Sequence, residues 1–176
     1  MKRTAHSQKG FTLIELLVVI GILGILLSIV LIAINPARQF GQANDTKRQS
    51  AATNILNAVS AYHADHAGQY PPALNAGSTS AMMISNDTTA YAAGEYMDLC
   101  DTQGGTIDPV SPLYIPALPV DSAVVNVHAY MDGIDQVDCN NPGTYTTGYL
   151  IWVDTSGRVS VQAPYADETL PIIVTR

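Results

Sequence analysis

The sequence predicts an α+β protein in which a long N-terminal α-helix packs by its C-terminal half on an antiparallel β-sheet head. Three observations indicate this fold class. A run of 24 residues from Phe11 to Ile34 carries one charge, an amphipathic pattern begins at Ala51, and short strand-like segments occupy the end of the chain. At 176 residues the chain has room for one globular domain and an appended segment.

The charged residues are distributed unevenly. Fifteen acidic and eight basic residues give a net charge of −7, and three of the basic residues (Lys2, Arg3 and Lys9) lie in the first nine positions. From His63 to the C-terminus there are 13 acidic residues and two basic ones. Proteins that bind nucleic acids neutralise phosphates with basic side chains. We therefore expect no direct nucleic-acid binding by the head.

The apolar run is predicted to be a retained transmembrane helix. As a helix, its 24 residues extend about 36 Å, which is enough to cross a hydrocarbon core of roughly 30 Å. The main alternative is a secretory signal peptide, which has a shorter apolar region followed by a small-residue cleavage site. This run ends instead in Ile34-Asn35-Pro36. The basic N-terminus favours a cytoplasmic location for that end, so the rest of the chain lies outside.

Glu15 is the charged residue inside this apolar segment. A carboxylate within a bilayer costs on the order of 2.5–3.5 kcal/mol on insertion scales. Two interpretations are open. Either Glu15 lies close enough to the interface and to the positive end of the helix to stay solvated, or its partner belongs to another copy of the chain.

The segment Lys9-Gly10-Phe11-Thr12-Leu13-Ile14-Glu15, followed by the long apolar run, resembles the N-terminal signature of type IV prepilins and of the pseudopilins of type II secretion. The resemblance implies that a prepilin peptidase cuts after Gly10 and N-methylates the new terminus at Phe11. It also implies that Glu15 acts in assembly. The new amine of an incoming subunit would then meet the Glu15 carboxylate of the preceding one, which neutralises two charges that are costly to leave unpaired and sets the register.

This interpretation predicts four segments. Residues 1–10 form a cleaved leader peptide, residues 11–34 the transmembrane and filament-core helix, residues 35–67 a stem helix that continues into the head, and residues 68–176 the globular extracytoplasmic head.

The stem begins at a break and ends at a turn. Asn35-Pro36 permits two structures, a kink that costs roughly 3 kcal/mol or a new helix with Asn35 as its cap and Pro36 at its first position. Apolar residues then recur at helical spacing, which predicts a helix through about His66 that ends at Gly68. The recurring residues are Ala51, Ile55, Ala58, Val59 and Tyr62.

The head is predicted to combine a long irregular region, residues 73–122, with strands near the C-terminus. Asp154-Thr155-Ser156-Gly157 is a plausible hairpin turn between two of these strands. The predicted strands are Val124–Met131, Tyr145–Val153, Arg158–Ala163 and, as a further docking strand, Leu170–Val174.

Cys100 and Cys139 are the two cysteines of the chain. Their spacing matches neither a CxxC redox motif nor a zinc framework, and the predicted topology places them outside the membrane. These features favour a disulfide over two free thiols.

Metal and glycan sites are weakly indicated. His63, Asp65 and His66 lie together at the predicted end of a helix, but no further ligand that would complete a metal site is visible in the sequence. We therefore interpret them as solvated residues at a helix end. Asp132, Asp135 and Asp138 resemble a calcium loop only loosely, because an EF-hand needs alternating oxygen ligands closed by a Glu. We expect no metal and no cofactor. Asn86-Asp87-Thr88 fits a glycosylation sequon, which is a short pattern with many false positives.

The predicted function is that of a structural subunit of a type IV pilus-like filament. It is inserted as a single-pass membrane protein and then assembled into an extracellular filament on the cell surface. Its expected partners are other copies of the chain, the prepilin peptidase, the pilus assembly machinery and, before assembly, the membrane. No catalytic motif such as G-x-S-x-G is present, so we do not expect an enzyme.

Two alternatives share part of these features. A pseudopilin of a type II secretion system would have the same N-terminus, and filaments visible at native expression would favour the pilin. A monomeric membrane-anchored binding protein would keep its leader, which N-terminal sequencing detects.

The charges of the stem suggest one further contact. Arg38, Lys47 and Arg48 outweigh Asp45 in the stem, while the head is acidic. We expect the basic residues to face the heads of neighbouring subunits, so that filaments are sensitive to salt.

Overall fold

The computed structural model describes residues 10–71, 74, 80–92, 94–100, 114–125, 134–141, 143–167 and 171–176. The chain divides into two compact units, one that ends at Phe40 and one that begins at Gly41. The first unit contains an apolar helix, and the second contains a β-sheet with most of a second helix packed on it. The fold class is α+β with a sheet head, which confirms the prediction.

Helix α1 runs from Leu13 to Ala33. Thr12 is its N-cap, and at the other end the backbone N–H of Ile34 donates to the carbonyl oxygen of Val30 at 3.0 Å. No residue of α1 is buried by any described part of the chain. Among the described residues, α1 is the one helix long and apolar enough to cross a membrane.

Helix α2 runs from Pro36 to Asp65 and begins as a new helix. Pro36 occupies the first position, where a proline is tolerated because that N–H has no partner within the helix. The backbone N–H of Arg38 donates to Oδ1 of Asn35 at 3.4 Å, so Asn35 acts as the cap. After the last turn, the N–H of Gly68 donates to the carbonyl of His63 at 2.9 Å.

The second half of α2 is amphipathic, as its sequence pattern predicts. Its inward face is buried, and Ile55 and Val59 have no exposed surface. These residues pack in one core with residues of the sheet, such as Ile84, Ile151 and Val161. Burying large aliphatic side chains stabilises a fold by roughly 1.5–3 kcal/mol each, so this contact attaches the stem to the head.

Among the described residues of the head, seven strands and one short helix have defined bounds. They are β1 Met82–Ser85, β2 Tyr96–Met97, β3 Leu118–Pro119, α3 Ser122–Val125, β4 Gln136–Val137, β5 Thr146–Val153, β6 Val159–Ala163 and β7 Ile172–Thr175.

Five of the strands form one sheet in the order β2-β1-β5-β6-β7, and β3 pairs with β4 separately. All pairs are antiparallel except β1 with β2, so the main sheet is mixed with a predominance of antiparallel pairs. Strands β5 and β6 form a hairpin in which Leu150 faces Gln162 and Val153 faces Val159. Its turn closes through hydrogen bonds between Asp154 and Arg158 and between Gly157 and Asp154.

The strand predictions were correct near the C-terminus. Tyr145–Val153, Arg158–Ala163 and Leu170–Val174 correspond to β5, β6 and β7, and the turn at Asp154–Gly157 is confirmed. The predicted strand Val124–Met131 was wrong at its start. Val124 lies in helix α3, whose first turn is capped by Asp121 through a hydrogen bond from the N–H of Ala123 at 2.9 Å. Residues 126–131 lie outside the described residues.

The description of residues 73–122 as irregular was wrong for strand β1. All four of its residues are buried, and β1 lies inside the sheet between β2 and β5. Burial on both faces gives a continuous apolar run without a period of two, and such a short run carries no clear strand signal.

Cys100 and Cys139 form the predicted disulfide, with their Cα atoms 5.0 Å apart. The bond joins the segment after β2 to the segment after β4. Next to it, the Tyr145 hydroxyl donates to Asp98 at 2.7 Å and accepts from the backbone N–H of Leu99 at 3.2 Å. A covalent bond and a buried tyrosine therefore fix the same corner of the head.

Candidate functional site

The side chains at the start of helix α1 form a capping box. Oγ1 of Thr12 accepts from the backbone N–H of Glu15 at 3.3 Å. In return, Oε2 of Glu15 accepts from the backbone N–H of Thr12 at 2.8 Å and from its hydroxyl at 2.7 Å. The first N–H groups of a helix have no partner within it, and this exchange satisfies two of them.

The capping box places the Glu15 carboxylate in the first turn of α1, where the helix carries a partial positive charge. Glu15 therefore has a partner within its own chain. A carboxylate has about four lone-pair sites, so one that accepts two hydrogen bonds can also accept an ammonium group. The geometry is compatible with both sequence interpretations of Glu15, a solvated residue near the interface and an ion-pair partner for another copy.

Gly10 and Phe11 directly precede this turn and lie outside any helix or strand. Phe11 is 90% exposed, and Gly10 has no heavy atom within 4 Å of the position that a Cβ would take. The peptide bond between them is therefore accessible within the chain.

Apart from Glu15 and Ser28, the side chains of α1 are apolar, and no described part of the chain buries them. Its leucine, isoleucine and valine residues are each between 50% and 86% exposed. Together they form one continuous apolar surface, which soluble monomers rarely expose. A helix that is apolar all round is typical of a buried or membrane-spanning segment.

A buried charge cluster joins the stem to the head, and sequence reasoning missed it. Nε of Arg48 bonds Oδ2 of Asp121 at 2.8 Å, and its Nη1 bonds Asp45 and Asp167, each at 3.0 Å. The side chains of Arg48 and Asp121 are 5% and 0% exposed. Burial lowers the pKa of Arg48, but the hydrogen bonds and charges of the three carboxylates outweigh it and raise the pKa above its ordinary value.

This cluster corrects one expectation. Arg48 was predicted to face the head of a neighbouring subunit, but it binds the head of its own chain instead. Asp121 and Asp167 are 73 and 119 residues away in sequence, so no local pattern indicates the contact. Arg38 and Lys47 are exposed, and the prediction that they face neighbouring subunits stands.

The histidines near the end of α2 pack against tyrosine rings. His66 stacks on Tyr62 with ring centroids 3.8 Å apart, and His63 stacks on Tyr70 at 4.1 Å. Asp65 is exposed. The arrangement is one of ring stacking.

The aspartates of the weak calcium candidate do not form a ligand cluster where the structure describes them. Asp135 and Asp138 are exposed, and Asp132 lies outside the described residues. Asp138 instead accepts the backbone and side-chain N–H groups of Asn140 at 2.9 and 2.8 Å, and these bonds lower its pKa. Across the described parts of the chain, no three His, Cys, Asp or Glu side chains gather as for a metal ion.

The amide of Asn86 in the possible sequon is already used within the fold. Its Oδ1 accepts from the backbone N–H of Tyr145 and its Nδ2 donates to the carbonyl of Gly143, both at 2.7 Å. These two bonds anchor the loop that contains Asn86 to the segment before strand β5.

The N-terminal segment matches a known family. Residues 5–31 match the prokaryotic N-terminal methylation motif, which is the signature of type IV pilins and pseudopilins. No curated protein and no solved structure matches the chain. The motif supports a pilin-like or pseudopilin subunit and points to a structural role, and together with the apolar helix α1 it fits membrane anchoring before assembly.

Proposed function

We propose that this chain is the structural subunit of a type IV pilus-like filament. A prepilin peptidase removes residues 1–10 and methylates the amine of Phe11, and the processed chains polymerise through residues 11–34. Residues 35–67 then act as the stem and residues 68–176 as the extracytoplasmic head. The observation that carries this proposal is the methylation motif on a helix whose apolar surface is uncovered on every side.

The filament supplies the cover that the apolar helix lacks. In the membrane, lipid surrounds α1, and in a filament the same side chains pack against those of other copies. Each copy leaves the bilayer without exposing this surface to water, so assembly does not oppose the hydrophobic effect.

Glu15 gives this assembly a register. The capping box holds its carboxylate one turn from the processed terminus, and the methylated amine of an incoming copy brings the opposite charge. In a low-dielectric filament core, an unpaired member of such a pair costs several kcal/mol. Copies therefore stop at the axial position where the amine and the carboxylate meet.

Substitutions at the capping box test this role. Glu15→Val removes the carboxylate and is expected to give a processed, membrane-bound protein that assembles poorly. Thr12→Val removes the hydroxyl of the capping box but keeps the charge, so it is expected to assemble close to normally. Filament yield by electron microscopy of sheared surface material, and processing by N-terminal mass spectrometry, measure both effects.

A third variant separates charge from hydrogen bonding. Glu15→Gln keeps an oxygen that can cap Thr12 but cannot neutralise an amine, so it is expected to assemble as poorly as Glu15→Val. Normal filament yield from Glu15→Val and Glu15→Gln would overturn the ion-pair mechanism. Purified wild-type material that begins at Met1 and stays monomeric would overturn the filament role itself.

A further inference from the structure

A cavity of about 530 Å³ lies in the head between helix α2 and the segment that leads into strand β3. Asn54, Asn57 and Ala61 line it from the helix, and Tyr114 and Pro116 line it from the opposite wall. Cavities of roughly 300–1,000 Å³ are the size that binds small molecules. Every lining residue belongs to the second unit, so the site is complete within the head.

Three side-chain amides give the cavity its polar character. Asn54 and Asn57 are one turn apart on α2, and Gln136 of strand β4 lies on the other side. Within the described parts of the chain, the side chains of Asn54 and Gln136 make no hydrogen bond to protein and are exposed. Oδ1 of Asn57 accepts from Nη1 of Arg176 at 2.7 Å, which fixes that amide and leaves its NH₂ group as a donor.

The remaining lining is neutral and largely apolar. Its other lining residues are alanines, prolines, Ile115 and Tyr114, and the ring of Tyr114 packs edge-on against Tyr62 with centroids 5.8 Å apart. Among the described residues, no charged side chain lines this cavity. A phosphate or another ion would therefore find no counter-charge among these lining side chains, while a purely apolar ligand would bury the amides of Asn54 and Gln136 without partners.

We propose that this cavity binds a neutral saccharide. Sugar hydroxyls both donate and accept hydrogen bonds, as amides do, and the C–H faces of a sugar ring pack on tyrosine, proline and alanine. A neighbouring cavity of about 390 Å³ shares Asn54, Pro119 and Gln136 with the first but is also lined by charged side chains such as Lys47 and Asp135. The proposal therefore concerns the uncharged cavity of about 530 Å³ alone.

Two alanines of α2 provide a matched pair of variants. Ala61 lines the cavity, Ala64 does not, and both are exposed residues of the same helix. Tryptophan at position 61 fills the cavity from its own wall, whereas tryptophan at position 64 leaves it open. The full chain in a detergent without a sugar headgroup is mixed with cellobiose or with diacetylchitobiose, and saturation-transfer NMR follows the contact. We expect saturable transfer to at least one of the two sugars for wild type and for Ala64→Trp, and its loss for Ala61→Trp.

The amides supply the second measurement. Asn54→Ala and Gln136→Ala each remove a hydrogen-bonding group and are expected to weaken binding roughly two- to tenfold, while Asn141→Ala, an exposed amide outside the cavity, leaves it unchanged. The proposal is overturned if neither sugar binds the wild type, or if binding survives Ala61→Trp undiminished. Filament yield of the same variants is measured in parallel, and failure of sugar binding leaves the filament role standing.

Discussion

Helix α1 and the head differ in whether the chain buries their apolar side chains. In α1 no residue is buried by any described part of the chain, whereas the head encloses a continuous core between α2 and the sheet. Helix α2 changes along its length, since its first turns are mostly exposed and one face of its later turns is buried in that core.

This difference in burial indicates what constrains the sequence of each region. In the proposed filament, the sequence of α1 is constrained by what surrounds it after synthesis, first lipid and then other copies of the chain. The head is constrained by its own core, which is fixed within one chain. Substitutions in α1 should therefore change assembly and leave folding intact, while substitutions in the head core should change folding first.

The largest expected loss of stability follows from removing Arg48, the positive charge at the centre of the buried charge cluster. Arg48→Met leaves Asp45, Asp121 and Asp167 close together without their counter-charge. Breaking a buried ion pair by removing one partner costs about 3–5 kcal/mol. Urea unfolding of the full chain in detergent, followed by the fluorescence of Trp152, the single tryptophan of the sequence, measures the loss within the head.

Two controls test the comparison between the regions. Lys47→Met changes an exposed neighbour and is expected to shift stability by less than about 0.5 kcal/mol. Glu15→Val, although it impairs assembly, is expected to leave the Trp152 transition unchanged. Equal transitions for Arg48→Met and Lys47→Met would mean that the cluster does not hold the stem to the head.

Features of α1 and of the hairpin could be predicted from the sequence, whereas contacts within the head core could not. The span Phe11–Ile34 was predicted within about two residues of the observed Leu13–Ala33, because composition alone decides whether a segment suits a membrane. The hairpin of β5 and β6 was predicted because its turn residues lie next to each other in the sequence. The Arg48 cluster and the inner strand β1 were not predicted, since both depend on contacts between residues far apart in the sequence.

The capping of α3 shows a local signal that was present but outweighed. Val124 and Val125 favour a strand by their β-branched side chains, and the prediction followed them. Asp121 and Ser122, which precede them by a few residues, are typical of a helix start, and Asp121 does cap α3. Asp121 is further fixed by Arg48, a contact that the local sequence does not contain.

A smaller loss is expected where backbone conformation and packing act together. Gly148 in strand β5 has φ +82°, and an added Cβ would overlap the Val124 side chain and lie 3.0 Å from Cβ of Asp121. Gly148→Ala therefore combines the cost of a left-handed conformation, about 1–2 kcal/mol, with overpacking of about 1–3 kcal/mol. The Trp152 transition in urea measures the sum.

Gly157 separates the two costs. It also has φ +82°, but an added Cβ meets nothing within 4 Å. Gly157→Ala is expected to lose the conformational part alone, about 1–2 kcal/mol. If both variants lose the same amount, helix α3 yields at Val124 and the head core is less rigid than its packing indicates.

The smallest expected effect lies at the hairpin turn, where the head meets solvent. The Asp154 carboxylate accepts from the Ser156 hydroxyl at 2.5 Å and from the backbone N–H and Nε of Arg158 at 2.9 and 3.0 Å. These bonds, that of the Ser156 hydroxyl first, hold the pKa of Asp154 below its ordinary value. A carboxyl with a lowered pKa in the folded state stabilises the fold above its unfolded pKa of about 3.9, and this contribution disappears as the pH falls further.

Asp154→Asn should therefore be less stable than wild type at pH 7, and the two should converge below about pH 3.9. The control is Thr155→Ala, at an exposed position of the same turn, which should shift the Trp152 unfolding transition equally at pH 7 and at acidic pH. If the difference in stability between Asp154→Asn and wild type does not depend on pH, the carboxylate charge contributes nothing to the turn.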